Sequence, residues 1–296
     1  MNRDFSFRGF YSQLRNIDLL DLSLRLTLID LVLKPVGDIK IRFFILTLAC
    51  IGLIFPAQLR NPYLWTGLAL FLGTRLILSW PFSDNHAYLL FYWCLAVAIC
   101  LYTADAKKYL AVNARYLIGL AFLFATIWKL ILSPDFSDGT FFSVNMLTDP
   151  RFEDFTKLVV GLSDAKYNEL YQFVSQHVDG RLMGNIGTPQ IPEKLFLVSS
   201  FLTYYTLIIE SLVAAAFLWP LNRGLSKYRD YILLFFCITV YSVATVEGFG
   251  WLLLAMGSVQ VYEHRYRTRV LYILVFIIII FYSRVPVSEV LLEHFR

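Results

Sequence analysis

A succession of apolar runs, each near the length that an α-helix needs to cross a lipid bilayer, constrains this fold most. A membrane-spanning helix takes about 20 mostly apolar residues. Eight runs meet or approach that length, at 41–59, 63–80, 85–103, 112–132, 195–219, 231–246, 249–262 and 270–285. Only 16% of the residues are charged, against about a quarter in soluble domains. The sequence therefore predicts an integral membrane protein, an all-α polytopic transmembrane helical bundle.

A ninth candidate span lies ahead of these eight, at residues 17–34. It is rich in leucine but contains Asp18, Asp21, Arg25 and Asp30. These four residues do not share one stripe of a helix that turns about 100° per residue. The segment can lie in the membrane interface, or it can span with its polar groups turned inward.

Basic residues in the short loops set the orientation, because loops rich in Lys and Arg stay on the cytoplasmic side. They fall at alternate turns: Arg60, Lys107, Lys108, Arg115, Arg223, Lys227, Arg229, Arg265, Arg267 and Arg269. The turns at 81–84 and 247–248 have no Lys or Arg. With nine spans, the N-terminus with Arg3, Arg8 and Arg15 is cytoplasmic as well. With eight spans it is outside, so the rule favours nine.

The same orientation places residues 133–193 outside the membrane, as an extracytoplasmic loop of about sixty residues. Its helical patterning covers 152–177, and Asp149-Pro150 is a typical helix start. Residues that break structure precede the next span: Gly180, Gly184, Gly187, Pro189 and Pro192. The loop is too short for a large independent domain, so we expect it to form a cap on the outer face of the membrane domain.

The chain divides into three regions by these patterns. Residues 1–40 form an N-terminal segment with a first or interfacial helix, 41–262 form the main membrane domain, and 263–296 form a last membrane helix and tail. Within the main domain, the runs 231–246 and 249–262 are short and closely joined. The sequence allows these two runs to form either a tight hairpin or a re-entrant pair of helices.

Lys129 is the most informative ionisable residue, because it lies within the apolar run 112–132. An ammonium in the centre of a membrane helix costs about 2.5–3.5 kcal/mol on insertion scales, so such residues usually have a function. Burial favours the neutral amine, which is a base. Lys129 is also near enough to the end of its span to extend to the interface. The sequence leaves both interpretations open.

His86 begins the apolar run 85–103 and is the second candidate residue. The predicted orientation places His86 and Lys129 near the same outer surface. Both residues are expected at a similar depth in the membrane, and our hypothesis is that they form one catalytic pocket. The alternative is a histidine near the headgroups, in a helix start capped by Asn85 or Asp84. Glu210 lies well inside its run, and we expect it to be paired, although the sequence does not indicate with what.

Several other classes of site have no support in the sequence. All four cysteines, Cys50, Cys94, Cys100 and Cys237, lie in apolar runs without metal-ligand spacing, so buried thiols are expected and no metal. The basic residues lie in short clusters between apolar runs. These clusters are explained by membrane topology, so nucleic acid is not a predicted partner. The predicted partner is the lipid bilayer.

Two stretches carry a family resemblance. Residues 85–90, Asn-His-Ala-Tyr-Leu-Leu, resemble the Asn-His-Ser-Tyr-Leu start of a helix in vitamin K-dependent γ-glutamyl carboxylase and are similar to bacterial HTTM-domain proteins. Residues 123–130, Leu-Phe-Ala-Thr-Ile-Trp-Lys-Leu, together with 134–139, resemble that family's Ala-Gly-x-x-Lys-Leu-x-x-x-Trp-x-x-Gly signature. A later span runs into 248–252 in the family's order, and the resemblance covers about 41–262.

The resemblance implies an all-helical fold in a bacterial cytoplasmic (inner) membrane. In the carboxylase the matching lysine activates a reduced quinone; oxygen then converts the hydroquinone into a stronger base, which deprotonates glutamate before CO2 adds. By resemblance, Lys129 is the base, His86 its polar partner, and a quinone or quinol the cofactor. The chain departs from the family's pattern at Thr126 and Phe136 and lacks its substrate-gripping soluble region. Carboxylation of protein glutamates is therefore not predicted.

Three functions stay open on the sequence. The first is an enzyme with an outward-facing pocket at Lys129 and His86, acting on a small or peptide substrate with quinol-linked base chemistry. The second is a non-enzymatic subunit for the maturation, export or assembly of a membrane or secreted partner protein. The third, a transporter, is the weakest, because the sequence shows no inverted repeat.

Overall fold

Helices make up nearly all of the regular structure. The computed structural model describes residues 17–34, 36–178, 190–244, 246 and 248–284, and among them there is no strand. Some residues used in the sequence predictions lie outside the described residues: Arg3, Arg8, Arg15, Gly180, Gly184, Gly187, Pro189 and Glu247. The all-α fold predicted from the sequence is confirmed for the described part of the chain.

The α-helices follow one another through short connections. In chain order they are α1 (Leu19–Leu33), α2 (Ile39–Ile54), α3 (Pro56–Leu59), α4 (Pro62–Ser79), α5 (Asn85–Leu101), α6 (Ala106–Ile127), α7 (Pro134–Ser137), α8 (Thr140–Thr148), α9 (Glu153–Thr156), α10 (Asp164–Val178), α11 (Glu193–Leu218), α12 (Arg229–Tyr241), α13 (Phe249–Ser258) and α14 (Tyr266–Arg284). π-Helical turns continue two of them, Trp128–Leu132 after α6 and Lys157–Gly161 after α9.

The chain forms two compact units. The first unit comprises residues 1–121, 213–238 and 246–280, and the second comprises 122–212, 239–245 and 281–296.

Three helical segments of the described chain are long and apolar enough to cross a bilayer. They are Ala106–Leu132, Glu193–Leu218 and Tyr266–Ser283. The first corresponds to the predicted span 112–132 but begins at Ala106, because Asp105 accepts a hydrogen bond from the Lys108 N–H in the first turn. These segments are consistent with an integral membrane protein, and their apolar surfaces indicate a lipid environment.

Helix α1 corresponds to the ninth candidate span and lies in the interior of the first unit. Leu24 and Leu28 are fully buried, and it packs against α2 and α13. The Ser23 hydroxyl donates to the Ala255 carbonyl over 2.6 Å, and the Trp93 indole donates to Thr27 Oγ1 over 2.9 Å. A helix covered on most sides belongs to a core, which is where its polar groups find partners.

Helices α12 and α13 correspond to the short pair of runs at 231–246 and 249–262. They have 13 and 10 residues, or about 20 and 15 Å at 1.5 Å per residue. The hydrocarbon core of a bilayer is about 30 Å thick, so neither helix crosses it unaided. Every residue of α13 from Gly250 to Ser258 is buried.

The predicted extracytoplasmic loop forms a helical cap in the second unit, comprising α7 to α10 and the turns between them. Its core is apolar and aromatic: Phe136, Phe142, Met146, Leu147, Phe152, Val160, Tyr167, Leu170, Leu195 and Leu202. The helical pattern at 152–177 is not one helix, because Gly161 adopts φ +80° and ends the first segment. Asp149 caps the turn that begins at Pro150, as its position in the sequence predicted.

Candidate functional site

The side chains of Lys129 and Glu210 meet in the second unit. The Lys129 ammonium donates a hydrogen bond to Glu210 Oε1. Only 20% of the Lys129 side chain and 10% of the Glu210 side chain are exposed. Glu210, for which the sequence indicated no partner, is thus paired with the lysine that the sequence singled out. Removing either partner would leave a poorly solvated charge.

The backbone at Lys129 is irregular. Trp128–Leu132 forms a π-helical turn at the end of α6, which inserts extra backbone into the helix and is frequent at functional sites. The Ser137 hydroxyl donates to the Lys129 carbonyl over 3.2 Å. The first turn of the cap is therefore tied to the residue that carries the ammonium.

An aromatic ring completes the immediate surroundings of the ammonium. Lys129 Nζ lies 5.0 Å from the centre of the Phe136 ring, within the range of a cation–π contact. Phe136 is buried in the cap core. The lysine is therefore bounded by a carboxylate on one helix and an aromatic ring on another.

Lys157 offers an internal comparison in the same unit. It pairs with Glu153 at 2.6 Å and Asp164 at 3.0 Å and lies 5.1 Å from the Tyr167 ring. Its carboxylate partners are 39% and 51% exposed, whereas Glu210 is nearly covered. Burial alone would lower the pKa of Lys157, but its hydrogen bonds to Glu153 and Asp164 raise it above the ordinary value.

Glu210 reaches the site from the interior of α11. The helix begins at Glu193, and its first turns pack into the cap through Leu195 and Leu202. Glu210 follows two turns after Leu202, which brings its carboxylate to Lys129. The second carboxylate oxygen, Oε2, is buried and has no hydrogen-bond partner within the described structure.

His86 lies in the first unit, in the first turn of α5. Asp84 caps this helix by accepting a hydrogen bond from the Ala87 N–H over 2.7 Å. The imidazole packs on the Phe249 ring with the ring centres 4.2 Å apart. It lines a small cavity together with four acidic or basic side chains: Asp30, Lys34, Arg75 and Asp84. His86 therefore has a polar environment of its own.

Lys129 and His86 belong to different units, and their joint action stays a prediction. The chain matches no family model, no curated protein and no solved structure. Among the described residues, no group of three or more His, Cys, Asp and Glu side chains is placed to hold a metal ion.

Sequence reasoning identified Lys129 and the need of Glu210 for a partner, but it did not single out two buried polar residues of α11. Ser199 and Thr203 are fully or almost fully buried on the face of α11 that leads to Glu210. Their spacing of four residues, followed by seven to Glu210, is a helical repeat that can be read from the sequence. Ser and Thr inside apolar helices are common, and this repeat alone did not distinguish them.

Proposed function

We propose that this chain is an HTTM/carboxylase-like integral membrane protein in which Lys129 and Glu210 exchange a proton at the membrane boundary. The observation that carries the proposal is the ion pair between two nearly covered side chains. Taking an ammonium and a carboxylate out of water costs several kcal/mol per ion. Transfer of one proton from Lys129 to Glu210 removes both charges, so the neutral pair is accessible there.

The neutral amine of Lys129 is then a base, with Glu210 holding the proton it released. A weakly acidic O–H group that reaches the amine can give up its proton, which leaves an oxyanion beside the ammonium. Phe136 provides the apolar side of this site. A proton transfer within the pair supplies the neutral amine that general base catalysis needs.

The substrate class follows from the resemblance and from the surface around the site. Trp128, Leu130 and Ile131 are exposed on the π-helical turn that carries Lys129. A lipid-soluble molecule can approach along such a surface, and the carboxylase-like resemblance supplies a hydroquinone as the class. By the same resemblance, we propose His86 as a second catalytic residue.

The proposal includes a nine-span topology with a cytoplasmic N-terminus and the cap outside the cell membrane. The interior position of α1 supports its inclusion as the ninth segment. A helix in which Asp30 is buried is better placed in a helical bundle than on a membrane surface. Nine is the number of apolar segments; α12 and α13 are each shorter than the hydrocarbon core, and as a re-entrant pair they return the chain to the side it entered from, as two full spans would. The domain 41–262 then includes the proposed site and its cap.

The proposal is tested by the reactivity of the Lys129 amine. We expect brief treatment of the protein in lipid nanodiscs with acetic anhydride at neutral pH to acetylate Lys129 at least about tenfold faster than Lys157. Lys157 has a similar carboxylate and aromatic environment, but its pKa is raised by solvated carboxylates. Peptide mass spectrometry of both sites measures the ratio.

The variant Glu210→Gln controls for access of the reagent. Without the carboxylate, a lysine in this position loses the partner that stabilises its charge, and its amine reacts if the reagent reaches it. Reaction in the variant but not in the natural protein would mean that Lys129 is locked as an ammonium. The proton-exchange function would then be wrong, and the non-enzymatic subunit would replace it.

A further inference from the structure

A groove in the first unit is lined by the start of α6, the connection from α11 to α12 and the residues that follow α13. Its volume of about 480 Å³ is in the range of pockets that bind small molecules. Its charged lining consists of four basic side chains and two acidic ones: Lys107, Lys108, Arg115, Arg229, Asp105 and Glu263. Four positive charges less two negative ones give the lining a net charge of +2, which favours an anion.

Arg229 is the buried basic residue of the groove, with 5% of its surface exposed. Its guanidinium donates to the Gln260 carbonyl over 3.0 Å and lies 5.6 Å from the centre of the Tyr262 ring. Its Nε has no hydrogen-bond partner in the described structure, and no described residue forms an ion pair with it. The adjacent Asp230 attracts Arg229 from beyond ion-pair distance, and it accepts a hydrogen bond from the Tyr272 hydroxyl. A buried charge is costly without a close countercharge, so an anion in the groove stabilises Arg229.

The other charged side chains leave the positive charge of the groove in place. Glu263 pairs with Lys107 over 2.6 Å. Asp105 accepts a hydrogen bond from the Lys108 backbone N–H, whereas the Lys108 ammonium is exposed and forms no ion pair within the described chain. Arg115 donates to two backbone carbonyls, which do not neutralise its charge. Phosphate oxygens are acceptors that arginine and lysine bind well.

The apolar part of the groove indicates that the phosphate belongs to a lipid. Val112, Leu221 and Val261 line the groove beside its basic side chains. On α6, Tyr109, Val112 and Tyr116 lie three and four residues apart, on one face of the helix, and are 42–49% exposed. This face continues along a segment that is long enough to cross a bilayer. An acyl chain can therefore lie on α6 while its headgroup occupies the groove.

We infer that the groove binds the phosphate group of an anionic phospholipid, with Arg229 and Lys108 as its main contacts. Basic pockets between membrane helices at the cytoplasmic side bind anionic headgroups in this way. The topology proposed above places these turns, and hence the lipid, at the cytoplasmic side. A lipid held there connects α6, α12 and the residues after α13, and it stabilises the folded protein because it binds only that state. The inference does not depend on proton exchange at Lys129.

Native mass spectrometry of the full chain in a nonionic detergent tests the inference, because it measures the dissociation constant of each added lipid. The probes are phosphatidylglycerol and phosphatidylcholine with identical acyl chains. We expect phosphatidylglycerol to bind at least about tenfold more tightly, because no choline neutralises its phosphate. Arg229→Gln should weaken the binding of phosphatidylglycerol at least about tenfold, and Lys108→Gln about fivefold.

Arg223→Gln is the matched control, because it removes the same charge from the connection between α11 and α12 but does not line the groove. It should leave the affinity unchanged. Equal affinities for the two lipids in the natural protein overturn the inference. An unchanged affinity in Lys108→Gln also overturns it, and this exposed substitution decides the matter if Arg229→Gln does not fold.

Glycerol 3-phosphate is a third probe that separates a lipid from a soluble phosphate compound. It carries the same phosphate chemistry without acyl chains, so at equal concentration it should not displace phosphatidylglycerol. Displacement would mean that the groove binds a soluble organic phosphate, and the lipid assignment would be wrong.

Discussion

Glu210→Gln is expected to lower the free energy of unfolding by about 3–5 kcal/mol, because it leaves the Lys129 ammonium without its carboxylate in a poorly solvated position. Reversible unfolding in mixed detergent micelles measures this change. A loss no larger than the roughly 0–1 kcal/mol of an exposed ion pair would contradict a poorly solvated pair.

A double variant separates the ion pair from the packing of its side chains. Replacing a buried ion pair by apolar residues of similar volume is often neutral or stabilising. Lys129→Met combined with Glu210→Leu should therefore lose less than Glu210→Gln alone. A double variant that loses as much as the sum of its single changes would contradict a direct pairing.

Glu153→Gln is the matched control for the same measurement. Glu153, whose side chain is 39% exposed, pairs with Lys157 four residues later, and helix pairs at this spacing with a solvated partner contribute about 0.3–0.5 kcal/mol. Lys157 also keeps Asp164 as a second partner. A loss in Glu153→Gln as large as that in Glu210→Gln would mean that burial of the carboxylate does not distinguish the two pairs.

Local features of the fold were predictable because they depend on neighbours in sequence. Asp84 and Asp149 were expected at helix starts, and both accept hydrogen bonds there. The length of the apolar run at 195–219 predicted the long helix α11. Lys129 was identified from the energetic cost of its position, which is also a local property.

The partner of Lys129 was not predictable in the same way. Glu210 is 81 residues away, and the relative register of α6 and α11 depends on how the cap packs between them. Their positions within the apolar runs placed Glu210 deep in its helix and Lys129 near the end of its helix. The cap residues Phe136 and Phe142 share one core with Leu202 of α11, and contacts between residues so far apart in sequence are not visible in a local pattern.

The position of α1 shows a second limit. Its charged residues lie on several sides of the helix, so no single apolar stripe indicated which face is buried. In the structure Arg60 pairs with Asp18 and Asp21 at the helix start, and Asp30 is buried near the other end. Both environments come from distant parts of the chain, so composition alone could not separate an interior helix from an interfacial one.

Gly257→Ala is expected to destabilise the first unit by about 1–3 kcal/mol, since it forces atoms into a closely packed core. A Cβ at Gly257 would lie 2.5 Å from Tyr272 Cε1 and 2.7 Å from its Oη. Tyr272 is fully buried, and its hydroxyl donates to Asp230 Oδ1 over 3.2 Å. Moving the ring therefore strains the packing and breaks this hydrogen bond. Thermal unfolding in detergent measures the loss.

Gly67→Ala is the matched control, because Gly67 is also helical but has only the Leu48 Cδ1 methyl nearby, at 3.1 Å. A flexible methyl group can move, and alanine favours a helix over glycine by about 1 kcal/mol. The control should be neutral or stabilising. Tyr272→Leu should relieve part of the loss in Gly257→Ala by making space. Equal effects of the two glycine substitutions would mean that α13 does not approach α14 this closely. The 10-residue helix α13 would then not be enclosed by other helices, as a re-entrant helix must be.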